Sequence, residues 1–107
     1  MSLVTTHILD TTAGTPAGGV VVILAESTGT EIARGRTDSD GRVGELGPEQ
    51  LEQGAYRLSF HTGAYFQAKG LPTFFPEVHI TFSIGTEAHY HVPLLISPYS
   101  YSTYRGS

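Results

Sequence analysis

The feature that most constrains the fold of this chain is an alternation of apolar and polar side chains. Apolar residues recur at every second position from Tyr56 to His61, from Val78 to Ile84 and from His89 to Ile96. Neighbouring side chains of a β-strand point to opposite faces of its sheet, so each of these runs predicts a strand with one buried face. The segment from Leu3 to Leu9 shows the same period and predicts a further strand.

Glycine-containing turns separate the predicted strands. The segment from Val20 to Leu24 is apolar at every position, which predicts a strand covered on both faces. The turn sequences Ser27–Thr30 and Asp38–Gly41 stand on either side of a predicted strand from Glu31 to Thr37. Because glycine after a polar residue favours tight reversals, we expect a hairpin at both turns.

Two short segments predict helices. Pro48–Gln53 begins with proline and is followed by glycine, and Ala64–Lys69 is followed by Gly70 and Pro72. Neither segment is long enough to organise a core. A chain of 107 residues is the size of one domain, and about eight short strands predict an all-β, two-sheet sandwich over residues 1–107.

Composition excludes several classes of function. Six basic against ten acidic residues give a net charge of -4, without a basic cluster of the kind that binds nucleic acid. No apolar run approaches the roughly 18 residues of a membrane span, and the first residues do not resemble a signal peptide. We therefore expect a cytoplasmic protein that binds neither nucleic acid nor membrane. The absence of cysteine also excludes disulfides and a thiol nucleophile.

Histidine is then the side chain best suited to proton transfer near neutral pH. The chain has five, namely His7, His61, His79, His89 and His91. His61 and His79 lie on the polar faces of their predicted strands and are expected to be surface residues. His7 and His91 lie on outward faces that also carry leucine. They are either incidental surface imidazoles or the lining of a pocket that another subunit covers.

Other readings of these residues remain open from the pattern alone. His89 and His91, with a third histidine, match the ligand supply of a three-histidine zinc site. Arg42 and Arg105 are suited to a planar anionic ligand, because guanidinium presents a fork of donors. Arg42 is otherwise a solvated turn residue, and the last residues are otherwise a frayed end.

Several motifs together carry a resemblance to a known family. They are Thr6–Asp10, Thr37–Arg42, Phe74–Val78, His89–Leu95 and the ending Ser97–Ser107, which closes with Tyr-Arg-Gly-Ser. From end to end the chain resembles the 5-hydroxyisourate hydrolases of the transthyretin-like family. The final Tyr-Arg-Gly-Ser is the most specific part, because the hormone-carrying transthyretins share the fold but lack that ending.

The resemblance implies an enzyme that opens the six-membered ring of 5-hydroxyisourate to give 2-oxo-4-hydroxy-4-carboxy-5-ureidoimidazoline, without a metal or other cofactor. It also implies a transthyretin-like β-sandwich of about eight strands, assembled as a homotetramer, a dimer of dimers with active sites where the dimers meet. By the same resemblance the catalytic residues are His7, Arg42 and His91, and the substrate-binding residues are Tyr104, Arg105, Gly106 and Ser107. Either histidine could be the general base.

Two rival classes predict different behaviour. A transthyretin-type carrier would bind a small aromatic ligand without turnover and would be indifferent to the loss of His7 or His91. A purely structural sandwich would neither bind nor turn over a ligand. The Tyr-Arg-Gly-Ser ending together with both histidines favours the enzyme.

Overall fold

The computed structural model describes residues 2–107. This part of the chain contains eight β-strands and one short helix. In chain order they are β1 (Val4–Asp10), β2 (Thr15–Pro16), β3 (Val21–Glu26), β4 (Glu31–Arg36), β5 (Gly54–Phe60), α1 (Thr62–Ala68), β6 (Val78–Ile84), β7 (Tyr90–Ser97) and β8 (Ser100–Thr103). Within these residues, one sheet has the strand order β2-β1-β7-β8 and the other β4-β3-β5-β6. The predicted all-β sandwich is confirmed.

The core lies between the two sheets and consists of the inward faces predicted from the alternation. Ile8 and Leu94 of one sheet and Leu24, Leu58 and Phe60 of the other have no measurable exposure. Burial of each such side chain contributes roughly 1.5–3 kcal/mol relative to leaving it in water. The opposite face of β1 and β7 is therefore free to carry polar side chains.

The two predicted helices have different outcomes. The helix predicted at Ala64–Lys69 is present, although it begins at Thr62. The helix predicted at Pro48–Gln53 is wrong, because this segment is irregular and the carbonyl of Pro48 accepts a hydrogen bond from the Leu3 amide at 3.0 Å. A segment this short has no stable helix of its own, so contacts with distant residues decide its shape.

The predicted hairpin at Ser27–Thr30 is confirmed by the antiparallel pairing of β3 with β4, whereas the one at Asp38–Gly41 is wrong. The turn itself forms, with Gly41 at a φ of +76°. The following chain then crosses to the other sheet, where the Gly41 carbonyl accepts a hydrogen bond from the Ile8 amide at 2.8 Å. A β-carbon at Gly41 would collide with the Ile8 carbonyl oxygen, so the crossing requires glycine.

The parallel pairing of β1 with β7 is the connection that the sequence pattern did not predict. It aligns Thr5 with His91 and His7 with Pro93 over a sequence distance of most of the chain. Next to β7, the Tyr- and Ser-rich segment of the ending forms β8. Within residues 2–107, no helix has the length and apolar character needed to cross a membrane.

A buried carboxylate ties α1 to the end of β1. Asp10 Oδ1 accepts hydrogen bonds from the amides of Thr12 and Ala13, both at 3.0 Å. Its Oδ2 accepts one from the Tyr65 hydroxyl at 2.8 Å and lies 3.7 Å from Lys69 Nζ. Burial alone would raise the pKa of Asp10, but the hydrogen bonds from Ala13 and Tyr65 and the charge of Lys69 together lower it.

We expect Asp10→Asn to reduce the free energy of unfolding by about 1–3 kcal/mol at pH 7, because it removes charge-assisted hydrogen bonds from a buried site. Since the folded pKa is lowered, the stabilisation is complete above the unfolded pKa near 4 and is lost as the pH falls through the folded value. Urea denaturation at several pH values measures this, with Glu26→Gln, at an exposed position, as the control. A constant difference between wild type and Asp10→Asn down to pH 2 would contradict it.

Candidate active site

The candidate site lies on the outward face of β1 and β7. Thr5 and His7 are two residues apart on β1, and His91 stands beside Thr5 on β7. Two isolated antiparallel β-bridges continue this arrangement across the sheet. One joins His7 to Arg42, and the other joins His91 to Gly106. The arrangement thus joins residues from the two ends and the middle of the sequence.

Arg42 is positioned by the turn that precedes it. Asp38 Oδ1 accepts hydrogen bonds from the amides of Asp40 at 2.9 Å and Arg42 at 3.1 Å. Within the same turn, the Asp40 carbonyl oxygen lies 2.8 Å from His7 Nε2. Because a carbonyl can only accept, Nε2 carries a proton, and neutral His7 has its lone pair on Nδ1.

His91 is held by β1 and is favoured in its neutral form. Its Nδ1 lies 2.8 Å from Thr5 Oγ1, so that Nε2 is the nitrogen left for another partner. Partial burial lowers the pKa of His91, and the positive charge of Arg42 together with the nearby His89 and His7 lowers it further. A neutral imidazole at pH 7 can accept a proton, as a general base must.

The chain ending packs directly on His91. The Gly106 amide donates a hydrogen bond to the His91 carbonyl at 2.9 Å. A β-carbon at Gly106 would lie 2.5 Å from Cδ2 of the His91 ring, closer than packed atoms allow, so only glycine fits. This contact places Ser107 in a cavity of about 360 Å³ with the following lining residues: Thr5, Thr6, Arg42, Val43, Gly44, His89, His91 and Ser107.

Tyr104 and Arg105 lie elsewhere. They line a second cavity of about 360 Å³ on the other side of His91, together with residues of β6 and Thr103 of β8. The Arg105 guanidinium carbon lies 5.2 Å from the centre of the Tyr90 ring, a cation–π contact. Of the predicted residues, Arg42, His91 and Ser107 therefore share the first cavity, His7 adjoins it through Arg42, and Tyr104 and Arg105 do not reach it in a single chain.

Of the other two histidines, His79 lies on β6 and His61 lies between β5 and α1. His79 is exposed and His61 half-buried, and both approach Glu77, with their Nε2 atoms 3.2 Å and 3.6 Å from its carboxylate oxygens. The alternative of a three-histidine zinc site, which the pattern left open, finds no support, because no group of three His, Asp or Glu side chains in residues 2–107 is arranged to hold a metal ion.

Thr5 and His89 stand out among the lining residues that were not predicted as functional. Nothing in the sequence marked Thr5 as a functional residue, although it shares the outward face of its strand with His7. His89 was considered only as a zinc ligand, yet its Nε2 lies 2.9 Å from Thr5 Oγ1. The pairing that brings Thr5 to both histidines has no signature in local sequence.

Comparisons with known proteins identify the family of this chain. The model of the HIUase/Transthyretin family matches residues 4–106. A relative from Salmonella dublin named 5-hydroxyisourate hydrolase is 50% identical over 111 residues, covering 99% of this chain and 82% of the relative.

Two solved structures share the fold. The 5-hydroxyisourate hydrolase of Klebsiella pneumoniae superposes with a TM-score of 0.91 at 42% identity, over 99% of this chain and 100% of that one. Sea bream transthyretin in complex with thyroxine has a TM-score of 0.90 at 36% identity, over 97% and 94% of the two chains. With a family model that spans nearly its whole length, this chain belongs to the HIUase/Transthyretin family.

Proposed function

We propose that this chain is a hydrolase that opens the ring of 5-hydroxyisourate to give 2-oxo-4-hydroxy-4-carboxy-5-ureidoimidazoline, a step of urate catabolism. The observation that carries the proposal is the convergence of Arg42, His91 and Ser107 on one cavity, with His7 beside Arg42. The relatives named 5-hydroxyisourate hydrolase support it, because they match the chain over its whole length.

Hydrolysis of a ring amide needs a base, and the site offers two imidazoles. The base takes a proton from water, the hydroxide oxygen adds to the ring carbonyl carbon, and the ring C–N bond breaks as the leaving nitrogen takes a proton. His91 would act through Nε2, because Thr5 occupies Nδ1. His7 would act through Nδ1, because the Asp40 carbonyl occupies Nε2. The lowered pKa of His91 favours it as the base.

Arg42 and Ser107 supply donors for the oxygen that becomes negative. The planar guanidinium of Arg42 can donate two parallel hydrogen bonds to the carbonyl-rich substrate. A positive charge is most useful where negative charge develops in the transition state. After partial burial, the charge of Arg42 is the next largest cause that lowers the pKa of His91. In this proposal Gly106 holds the ending against His91, and Tyr104 and Arg105 bind substrate from the far side of His91.

A homotetramer, a dimer of dimers with active sites at the contact between dimers, belongs to the proposal. Phe74 is 72% exposed and packs edge-on against Phe75, which packs in the same way against Tyr101 of β8, so an aromatic patch lies beside that strand. Leu9 and Leu95 on the outward face of β1 and β7 are only half-buried. Exposed apolar patches of this kind mark subunit contacts, and a second dimer on this face would complete the cavity.

The carrier function remains the second candidate because transthyretin has the same fold. The fold therefore does not distinguish the two functions, so the distinction must come from the residues of the site. A carrier needs no base, whereas here the His7 imidazole contacts the Asp40 carbonyl, the His91 imidazole contacts Thr5 Oγ1, and the backbone amide of Arg42 donates to Asp38. A location in the cytoplasm and a single domain over residues 1–107 stay predictions.

We expect the protein to accelerate the decay of 5-hydroxyisourate generated in place from urate, and to do so equally after treatment with a chelator. The ultraviolet absorbance of the substrate reports the decay with and without protein. Binding of the substrate without faster decay would favour the carrier. Loss of activity on chelation, with recovery on adding zinc, would reinstate a metal-dependent mechanism.

The pH dependence of the rate separates two roles of Arg42, the effect of its charge on His91 and the hydrogen bonds that its planar guanidinium donates. Because the pKa of His91 is lowered, the neutral base should persist below the ordinary value of about 6.5, and the rate should fall as the pH drops through the folded value. Arg42→Gln removes the charge and should raise the pKa of His91, moving the acid limb to higher pH. Arg42→Lys keeps the charge, so it should lower the rate without moving that limb.

Histidine resonances followed by NMR over the pH range give the pKa of His91 directly in both variants. An unchanged His91 titration in Arg42→Gln would contradict the electrostatic role. A rate for Arg42→Lys equal to that of wild type would show that the planar donors are not used.

Deletion of Tyr104–Ser107 should leave a folded oligomer with hydrolysis nearly abolished, because these residues line both cavities but add little to the core. Circular dichroism reports the fold, and light scattering reports the assembly of both proteins. A monomer at micromolar concentration for the intact chain would refute the tetramer. Full activity after the deletion would refute the role of the ending.

A further inference from the structure

A single hydroxyl stands between two histidines in the first cavity. Thr5 Oγ1 lies 2.8 Å from His91 Nδ1 and 2.9 Å from His89 Nε2. The two rings are nearly parallel, with 20° between their planes and 6.4 Å between their centres. His89 is exposed, whereas His91 is half-buried, so the hydroxyl connects a ring in solvent with a ring in the site.

The hydroxyl has only one proton, which restricts how the two rings can be protonated. If Thr5 donates to His89 Nε2, its oxygen must accept from His91, and Nδ1–H of His91 provides that donor. Neutral His91 then has its lone pair on Nε2. If Thr5 instead donates to His91 Nδ1, the proton of neutral His91 lies on Nε2, and His89 must donate through its own Nε2.

The first arrangement is the one that makes His91 a base. With the Thr5 hydroxyl as acceptor, Nδ1 of His91 carries the proton and Nε2 carries the lone pair that a base needs.

We propose that Thr5 is a positioning residue that, with neutral His89 as acceptor of its proton, holds His91 in the tautomer with a free lone pair on Nε2. The inference rests on the proposed hydrolase function and adds two residues to its site. Thr5 touches neither water nor substrate in this scheme and acts through His91. If His89 were protonated, its Nε2–H would donate to Thr5, and the hydroxyl proton, no longer held by His89, would be free to turn towards His91 Nδ1.

The acid limb of the activity should therefore depend on two histidines. Protonation of His91 removes the base directly, and protonation of His89 releases the Thr5 hydroxyl proton from His89, so that it is free to turn towards His91 Nδ1. The other charged or titratable groups acting on His91 are Arg42, from the turn, and His7, from β1. Neither Arg42 nor His7 forms a hydrogen bond with Thr5 Oγ1. The effects of substitutions at Thr5 and His89 can therefore be separated from the effects of Arg42 and His7.

The decisive pair of variants is Thr5→Ser and Thr5→Val. Serine keeps the hydroxyl, and valine keeps the shape without it. We expect Thr5→Val to lower kcat by about tenfold or more with little change in KM, because the lone pair of His91 would no longer be held on Nε2, where the base needs it. Thr5→Ser should retain most of the activity. Thr81→Val, at an exposed position of β6 in the other sheet, is the control for the substitution itself.

A spectroscopic readout makes the test independent of turnover. In protein with ¹⁵N-labelled histidine, the nitrogen shifts of His91 at pH 7.5 should show Nδ1 protonated and Nε2 unprotonated. In Thr5→Val they should move towards a mixture of tautomers. A wild-type His91 with its proton on Nε2 would overturn the proposal, as would equal kcat in Thr5→Val and wild type.

His89→Leu gives the third measurement without disturbing the core. The acid limb of kcat against pH should be less steep in this variant than in wild type, because one inactivating protonation has been removed. An identical limb would overturn the role of His89. If wild type fails to hydrolyse 5-hydroxyisourate, the proposed function falls, while the nitrogen shifts of His91 still decide whether Thr5 sets its tautomer.

Discussion

The parallel pairing of β1 with β7 is the constraint on which the rest of the structure depends. It sets Thr5 beside His91 and His7 beside Pro93, and the same two strands bury Ile8 and Leu94 on the opposite face. A shift of one residue would exchange these faces and move the imidazoles into the core. The hydrophobic effect that selects this register therefore also positions the candidate catalytic groups.

Local pattern was sufficient for the longer strands of the fold. The alternation at 78–84 and 90–96 predicted β6 and β7 and placed His91 on an outward face, because burial of one sheet face leaves a period of two in the sequence. The failures share a cause. At Pro48–Gln53 and after Asp38–Gly41, hydrogen bonds to Leu3 and Ile8 decide the path of the chain, and such distant partners leave no local trace.

The site was predictable only in part for the same reason. The family resemblance predicted a catalytic role for His7, Arg42 and His91. Side-chain chemistry alone left each of these residues with a second interpretation. The cavity, by contrast, depends on which strands are neighbours. Thr5 is an ordinary strand threonine in the sequence and becomes chemically distinctive only between two imidazoles at 2.8 and 2.9 Å.

The sequence distance between the two paired strands has a kinetic consequence. Thr5 and His91 are 86 positions apart, and Arg42 reaches His7 by a separate crossing between the sheets. Closing so long a loop is entropically costly, so contacts of this kind form slowly compared with the local hairpin of β3 and β4. The site therefore depends on contacts that local folding of the second sheet does not supply, and separation of β1 from β7 would dismantle it.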